Sequence, residues 1–266
     1  MQTICFIDID STLVENRFSR RALGALLQEI RDQTGIPVAD LAHEMSRENE
    51  RRQREDPDNP LTMDWDDIIE QIAARHGASL SQRGIDLWRA YAHPDAIDVL
   101  DEAPSMLARL RDMGCTLVVA TKGLSKYQDP ILQVTGLAAY FDDVLTPDRT
   151  GYLKTSPDFY ARYTADRADK RFVQIGDHYY DDVICPVRNG FISVLRFPLG
   201  QVEEAEGRSL SAEVLAWRAA DPLERVALLE QHTARLPTFP KDGTDVRPHA
   251  VVQSLQEIPA LLERLA

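Results

Sequence analysis

The feature that most constrains this chain is the apolar run Ile4-Cys5-Phe6-Ile7, which stops abruptly at Asp8. A run this short and β-prone reads as a strand buried on both faces, with its end open to whatever the acid must meet. Similar runs recur at Leu117-Val118-Val119-Ala120, ending at Thr121, and at Phe172-Val173-Gln174-Ile175, ending at Gly176-Asp177. A fourth is Phe191-Ile192-Ser193-Val194-Leu195. Helical patterns fill the intervals. One runs from Ala103 to Met113 and stops at Gly114, a good C-cap. Another starts after Ser156-Pro157, and a third runs from near Asp181 to Asn189-Gly190. Strands alternating with helices predict an α/β fold with a doubly wound parallel sheet. Ligands of such sheets sit at the carboxyl ends of the strands, where Asp8, Thr121 and Asp177 fall.

Residues 17–95 follow a different pattern. Leu23, Leu26, Leu27 and Ile30 recur at helical spacing, and the charged stretch Glu44 to Asp56 follows. The spacing predicts helices near 18–33, 38–55, 64–76 and 80–91, an all-helical insertion placed directly after the first strand. That position makes it a cap rather than a separate N-terminal domain. Trp65 and Trp88 are expected in its core. Arg47, Arg51, Arg52 and Arg54, alternating with Glu48, Glu50 and Glu55, are expected to form a solvated ion-paired face.

A second insertion covers residues 200–245. There Asp221-Pro222-Leu223-Glu224 supplies an N-cap, a first-turn proline and an N3 glutamate, so a helix to about Leu236 is expected. Its role stays open between a wall of the cap cleft and a dimer surface, which would make the protein a homodimer. Ala250-Val251-Val252 then reads as a strand, and Ser254 with Glu257 as a capping box for a last helix. The core is thus expected from residues 1–16, 96–199 and 246–266, and 266 residues suffice for it and for the cap.

Charge narrows the partners. The chain holds 43 acidic and 30 basic residues, a net charge of −13, which repels phosphate backbones and argues against a dedicated nucleic-acid binder. A compact anionic ligand would need local basic groups or a metal. Cys5, Cys115 and Cys185 are odd in number and lie in or beside apolar runs, so buried free thiols are expected. Nothing at the start resembles a signal peptide, and no apolar stretch approaches the length of a membrane span. A cytoplasmic protein without membrane attachment is expected.

The strand ends carry the chemistry. Asp8 and Asp10 alternate by two on extended chain, so both carboxylates can face the same side. A phosphate ester repels an attacking carboxylate, and a divalent cation relieves that repulsion. Asp8 would bind the metal and attack. Asp10, its pKa raised by acidic neighbours, would give a proton to the leaving oxygen and then activate water, by way of an aspartyl-phosphate. Thr121 offers a hydroxyl just before a helix whose amides can point at phosphate, with Lys122 beside it. Lys154 offers a point charge that can also restrain the nucleophile. Asp177 completes the metal site with the oxygen that a hard cation prefers. Asp181 and Asp182 compete to support it from behind. His178, Tyr179 and Tyr180 lie beside the metal site, where rim or packing groups are expected and a substrate-facing role is the alternative.

Phe6-Ile7-Asp8-Ile9-Asp10-Ser11-Thr12-Leu13 resembles the first motif of the haloacid dehalogenase superfamily. Ala120-Thr121-Lys122-Gly123 is similar to the second, Lys154 ahead of Pro157 to the third, and Gly176-Asp177 with Asp182 to the fourth. The resemblance covers residues 1–16 and about 96–196, and four motifs in order are far more specific than any one. It implies a Rossmann-like core, Asp8 as nucleophile, Asp10 as acid/base, and Asp8, the Asp10 backbone carbonyl and Asp177 as Mg²⁺ ligands. It favours Asp182 over Asp181, because Asp182 immediately precedes Val183-Ile184. Ser11 departs from the glycine that the family most often has there.

Within that superfamily the chain is expected to be a phosphatase acting on a small phosphorylated metabolite. Dehalogenases usually lack the second Asp, and the ATPase branch has Lys at the place of Asp10. A phosphonatase needs a cap lysine, whereas the first lysine here is Lys122. A phosphomutase, or a binding or regulatory protein on the same fold, stays open.

Overall fold

The computed structural model describes residues 1–16, 18–56, 59–100 and 103–265, and of residues 18–20 the backbone alone. Arg17, where the helical insertion is expected to begin, lies outside them. The strands are β1 (Gln2–Ile7), β2 (Val14–Asn16), β3 (Ile97–Val99), β4 (Thr116–Ala120), β5 (Asp143–Leu145), β6 (Lys170–Gly176), β7 (Ile192–Arg196) and β8 (Ala250–Val252). Six of them make one parallel sheet in the order β5-β4-β1-β6-β7-β8. β1 lies between β4 and β6, where the chain reverses its direction of travel across the sheet, so Asp8, Thr121 and Asp177 leave adjacent strands at the switch point.

β1 is buried from Thr3 to Ile7 because both faces are covered. Ile4 and Phe6 meet an aromatic layer on one face. There the Phe6 ring lies 4.9 Å from Tyr160 in edge contact and 5.5 Å from Phe191 in a stack. Cys5 and Ile7 face the other layer with Met106, Leu107 and Leu110. The last three belong to the helix over Ala103–Asp112. Truncating Phe6 to Ala would cost roughly 3–5 kcal/mol.

The insertion between β2 and β3 is α1 (Phe18–Thr34), α2 (Val38–Glu55), α3 (Trp65–Arg75) and α4 (Gly84–Tyr91), matching the helical periods. α3 starts where the Asp64 side chain accepts the Asp67 amide. Leu26 and Ile30 of α1, Ile68 and Ile72 of α3 and Ile85 of α4 are buried in the core of the insertion. Arg51 and Arg52 pair with Glu48 as expected, but the face is not fully solvated: Glu48 is buried, and Arg52 packs over it to reach Asp67. The antiparallel β2–β3 ribbon, which pairs Val14 with Val99 and Asn16 with Ile97, joins the insertion to the core and has no counterpart in the sequence reading. After β3 come α5 (Ala103–Asp112) and α6 (Ser125–Val134). The Tyr127 hydroxyl on α6 accepts from the Asp66 amide at 2.8 Å and donates to Asp64 at 2.9 Å, tying insertion to core.

Several expected helices are shorter than their patterns. The one after Ser156-Pro157 is a 3₁₀ turn, Pro157–Tyr160, and a helical turn, Ala161–Thr164. Near Asp181 the chain makes a π-helical turn, Tyr179–Ile184, and then Cys185–Arg188. The predicted 221–236 helix begins as foreseen, with the Asp221 amide bonded to Glu224. It is α-helical only over Glu224–Leu228 and continues to Arg235 as 3₁₀. The tighter winding accompanies burial of Leu229 in a cluster with Trp217, Leu195 and Val251 and edge contact of His232 with Trp217. The second insertion therefore packs on the β7–β8 side of the sheet. β8 and the Ser254–Glu257 capping box form as expected.

Among the described residues no helix is long and apolar enough to cross a membrane. The three cysteines are free, and Cys115 is only half-buried rather than buried.

Candidate active site

The turn after β1 brings two acids to one cavity. The Asp8 amide continues the ladder to Ile175 at 2.9 Å. The chain then closes a tight loop with Ser11 at φ 58°, a left-handed conformation that costs a non-glycine residue about 1 kcal/mol. That backbone demand accounts for the glycine usual in the motif. The buried Arg196 guanidinium donates to the Ser11 carbonyl at 3.0 Å and braces the loop from β7.

Asp8, Asp177 and Asp182 each place a carboxylate oxygen within 4.8 Å of the others. Lys154, 2 % exposed, sits 2.9 Å from Asp8 and 2.7 Å from Asp182. Asp182 is held further by the Gln174 amide at 2.8 Å and the His178 backbone amide at 3.0 Å. The Thr12 hydroxyl reaches Asp177 at 3.3 Å. Three carboxylates against one ammonium leave two negative charges uncompensated in a buried place, which a divalent, oxygen-preferring cation would neutralise. The acid strengths register the same deficit. Burial, then the charges of Asp8 and Asp182, push Asp177 up to about 8. Burial pushes Asp182 up to about 6 against the pull of Lys154. Burial disfavours the Lys154 charge, yet Asp182 and Asp8 outweigh it and keep that ammonium firmly protonated.

Asp10 has a different setting. Its carboxylate is outside the trio and accepts from Gln128 at 2.8 Å and Asn16 at 3.3 Å. Its pKa is raised chiefly by burial, against the two amides, with Glu15 as the acidic neighbour that adds to it. The expectation that acidic neighbours dominate is thus corrected: desolvation does most of it.

Thr121 is buried at the end of β4, where its hydroxyl accepts the Gly123 amide at 3.2 Å. Lys122 pairs with Asp181 at 3.0 Å. This separates the two acids that competed in the sequence: Asp182 lies under Asp8 and Lys154, and Asp181 faces Lys122. All of these except Asp182 line one cavity of about 450 Å³, together with His178 at its rim. Tyr179 is buried and packs on Phe239, and Tyr180 is exposed. Trp65 and Trp88, expected only as core, also line the cavity, because the insertion lies over the strand ends.

The haloacid dehalogenase-like hydrolase family matches residues 3–191. The chain belongs to that family. It is therefore a hydrolase. Among curated proteins compared by sequence, none matches. Solved structures similar to this hydrolase include a HAD phosphatase from Thermococcus onnurineus, 20% identical with a TM-score of 0.65 over 98% of each chain. The L-2-haloacid dehalogenase from Xanthobacter autotrophicus, with chloropropionic acid covalently bound, is 16% identical with a TM-score of 0.59 over 100% of each chain. The HAD-hydrolase YfnB from Bacillus subtilis, bound to magnesium, is 16% identical with a TM-score of 0.55 over 98% of each chain. At these identities the likeness is one of fold, and it reaches both phosphatases and dehalogenases.

Sequence reasoning missed Gln128, Asn16, Arg196 and Thr238. Thr238, in the second insertion, accepts the Tyr179 amide at 3.0 Å and donates to the Asp177 carbonyl at 3.3 Å. No local pattern marks these residues. The one available signal is Gly123, where a Cβ would meet Gln128 at 2.3 Å.

Proposed function

We propose that this hydrolase cleaves small phosphomonoesters with Mg²⁺, through phosphorylation of Asp8. The observation that carries the reading is Asp10: a second, half-buried carboxyl on the Asp8 loop, lining the same cavity but outside the acidic trio, with its pKa raised and its side chain bonded to Gln128 and Asn16. Hydrolysis of a carbon–halogen bond expels halide and has no use for a proton donor there, whereas a leaving alkoxide needs one.

In the proposed sequence, an Asp8 carboxylate oxygen forms a bond to phosphorus as the ester P–O bond breaks, and Asp10 gives its proton to the departing oxygen. Water then attacks phosphorus and returns a proton to Asp10, and the Asp8–phosphorus bond breaks to release phosphate. Lys154 holds the nucleophile in place, while Thr121 and the amides before α6 meet the phosphoryl oxygens. Asp8 and Asp177, supported by Asp182, would hold Mg²⁺, which when bound neutralises charge on the phosphoryl group. The helical insertion acts as the cap, and the substrate is a small phosphorylated metabolite rather than nucleic acid or membrane, in keeping with the net charge of −13. A cytoplasmic location agrees with three free thiols.

The test is phosphate release from p-nitrophenyl phosphate beside chloride release from L-2-chloropropionate. Mg²⁺-dependent, chelator-sensitive phosphate release that is abolished in a folded Asp8→Asn variant is expected. Chloride release without phosphate release would overturn the reading.

A further inference from the structure

Besides the acids and lysines, the same cavity has an apolar and aromatic lining. That lining is Leu23, Met63, Trp65 and Trp88 from the insertion and Tyr127 from α6, and Glu15 lines the cavity as well. The aromatic part is fixed. The Trp88 and Tyr127 rings meet edge to face at 5.0 Å, and the Trp88 indole nitrogen donates to the Tyr127 carbonyl at 3.1 Å. The Tyr127 hydroxyl is anchored to Asp64 and to the Asp66 amide, and its ring already carries the Lys126 ammonium at 5.1 Å. Both lysines of the cavity are engaged, Lys154 with Asp8 and Asp182 and Lys122 with Asp181. Glu15, half-buried in β2, has no hydrogen-bond or ion-pair partner among the described residues. An acid without a counter-ion in a cavity that indole and phenol rings also line favours a cation, above all one with an apolar surface.

We propose that the alcohol half of the substrate carries an ammonium group, received by Glu15 against the Trp65, Trp88 and Tyr127 wall, while its phosphate sits at Asp8. The inference rests on the phosphohydrolase reading above. It assigns the substrate class to amino or quaternary-ammonium alkyl phosphates. Glu15 discriminates by charge, and the aromatic wall binds whatever apolar surface the alcohol offers.

The experiment compares kcat/KM for phosphocholine, for its neutral carbon isostere 3,3-dimethylbutyl phosphate and for anionic phosphoglycolate, using the full chain with Mg²⁺. Phosphocholine is expected to exceed the isostere about tenfold, and phosphoglycolate to fall below both. Glu15→Gln should bring the phosphocholine-to-isostere ratio close to one, and Trp65→Ala should raise KM for both without a matching loss of kcat. If Glu15→Gln lowers both substrates in parallel and keeps their ratio, Glu15 acts only through Asp10 and the proposal fails. It fails equally if the wild type prefers phosphoglycolate or does not distinguish the isosteres while still hydrolysing p-nitrophenyl phosphate. If p-nitrophenyl phosphate is not hydrolysed either, the phosphohydrolase reading itself falls and takes this one with it.

Discussion

The Gln128 side-chain amide donates to Asp10 at 2.8 Å across 118 residues of sequence, an approach that depends on the missing side chain of Gly123. The bond favours the charged form of Asp10 and so opposes the rise that burial causes. Gln128→Leu should raise that pKa further and leave the carboxyl less well oriented. The expected outcome is a kcat about tenfold lower, with the limb of the pH–rate profile that Asp10 sets moved to higher pH. An unmoved profile would mean that the amide does not govern the acid.

Gly176 ends β6 directly against Asp182: a Cβ there would lie 2.1 Å from the Asp182 carboxyl carbon. That carboxylate cannot yield easily, because Lys154, Gln174 and the His178 amide all hold it. Gly176→Ala should therefore destabilise the fold by about 2 kcal/mol and displace the support under Lys154. Thermal unfolding checks the first effect. A variant that melts with the wild type would show that the pocket around Asp182 is loose.

What the sequence discloses and what it hides follow from distance. Asp8, Thr121 and Asp177 each end an apolar run, so burial pattern and chemistry coincide within a few residues. The strand β5 and the β2–β3 ribbon mix acids and an amide with their apolar residues, so unlike the equally short but wholly apolar β8 they do not stand out from the residues around them. Gln128, Arg196 and Thr238 take their places from contacts 118, 185 and 61 residues away, which no local periodicity encodes. The 221–236 region failed in the opposite way. Its start signals are correct, but burial of Leu229 and His232 beside Trp217 decides the winding downstream.

The raised acids make stability depend on pH. Asp177 and Asp182, pushed to about 8 and about 6 in the fold, hold protons there that they release near pH 4 when unfolded. The folded chain therefore binds more protons than the unfolded one between those limits, and metal-free protein should lose stability as pH rises from about 4 through 8. A divalent cation replaces those protons. The rise in Tm on adding Mg²⁺ should thus be larger at pH 8 than at pH 5.5, as differential scanning calorimetry can measure. A gain that is equal at both values, or larger at the lower, would contradict the assignment of these carboxylates to the metal.

Thr238 gives the second insertion a part in the site that its helices alone did not suggest. Its hydroxyl bridges the Tyr179 amide and the Asp177 carbonyl, so it fixes the turn on which Asp177 stands. Thr238→Val keeps the shape of the side chain and removes both bonds. Groups that orient metal-binding carboxylates commonly contribute tenfold or more to affinity, so the Mg²⁺ concentration at half-maximal thermal stabilisation should rise about tenfold. A variant that only melts earlier, with the Mg²⁺ midpoint unmoved, would reduce Thr238 to a packing role. A shifted midpoint would tie residues 200–245 to the metal centre through a single hydroxyl.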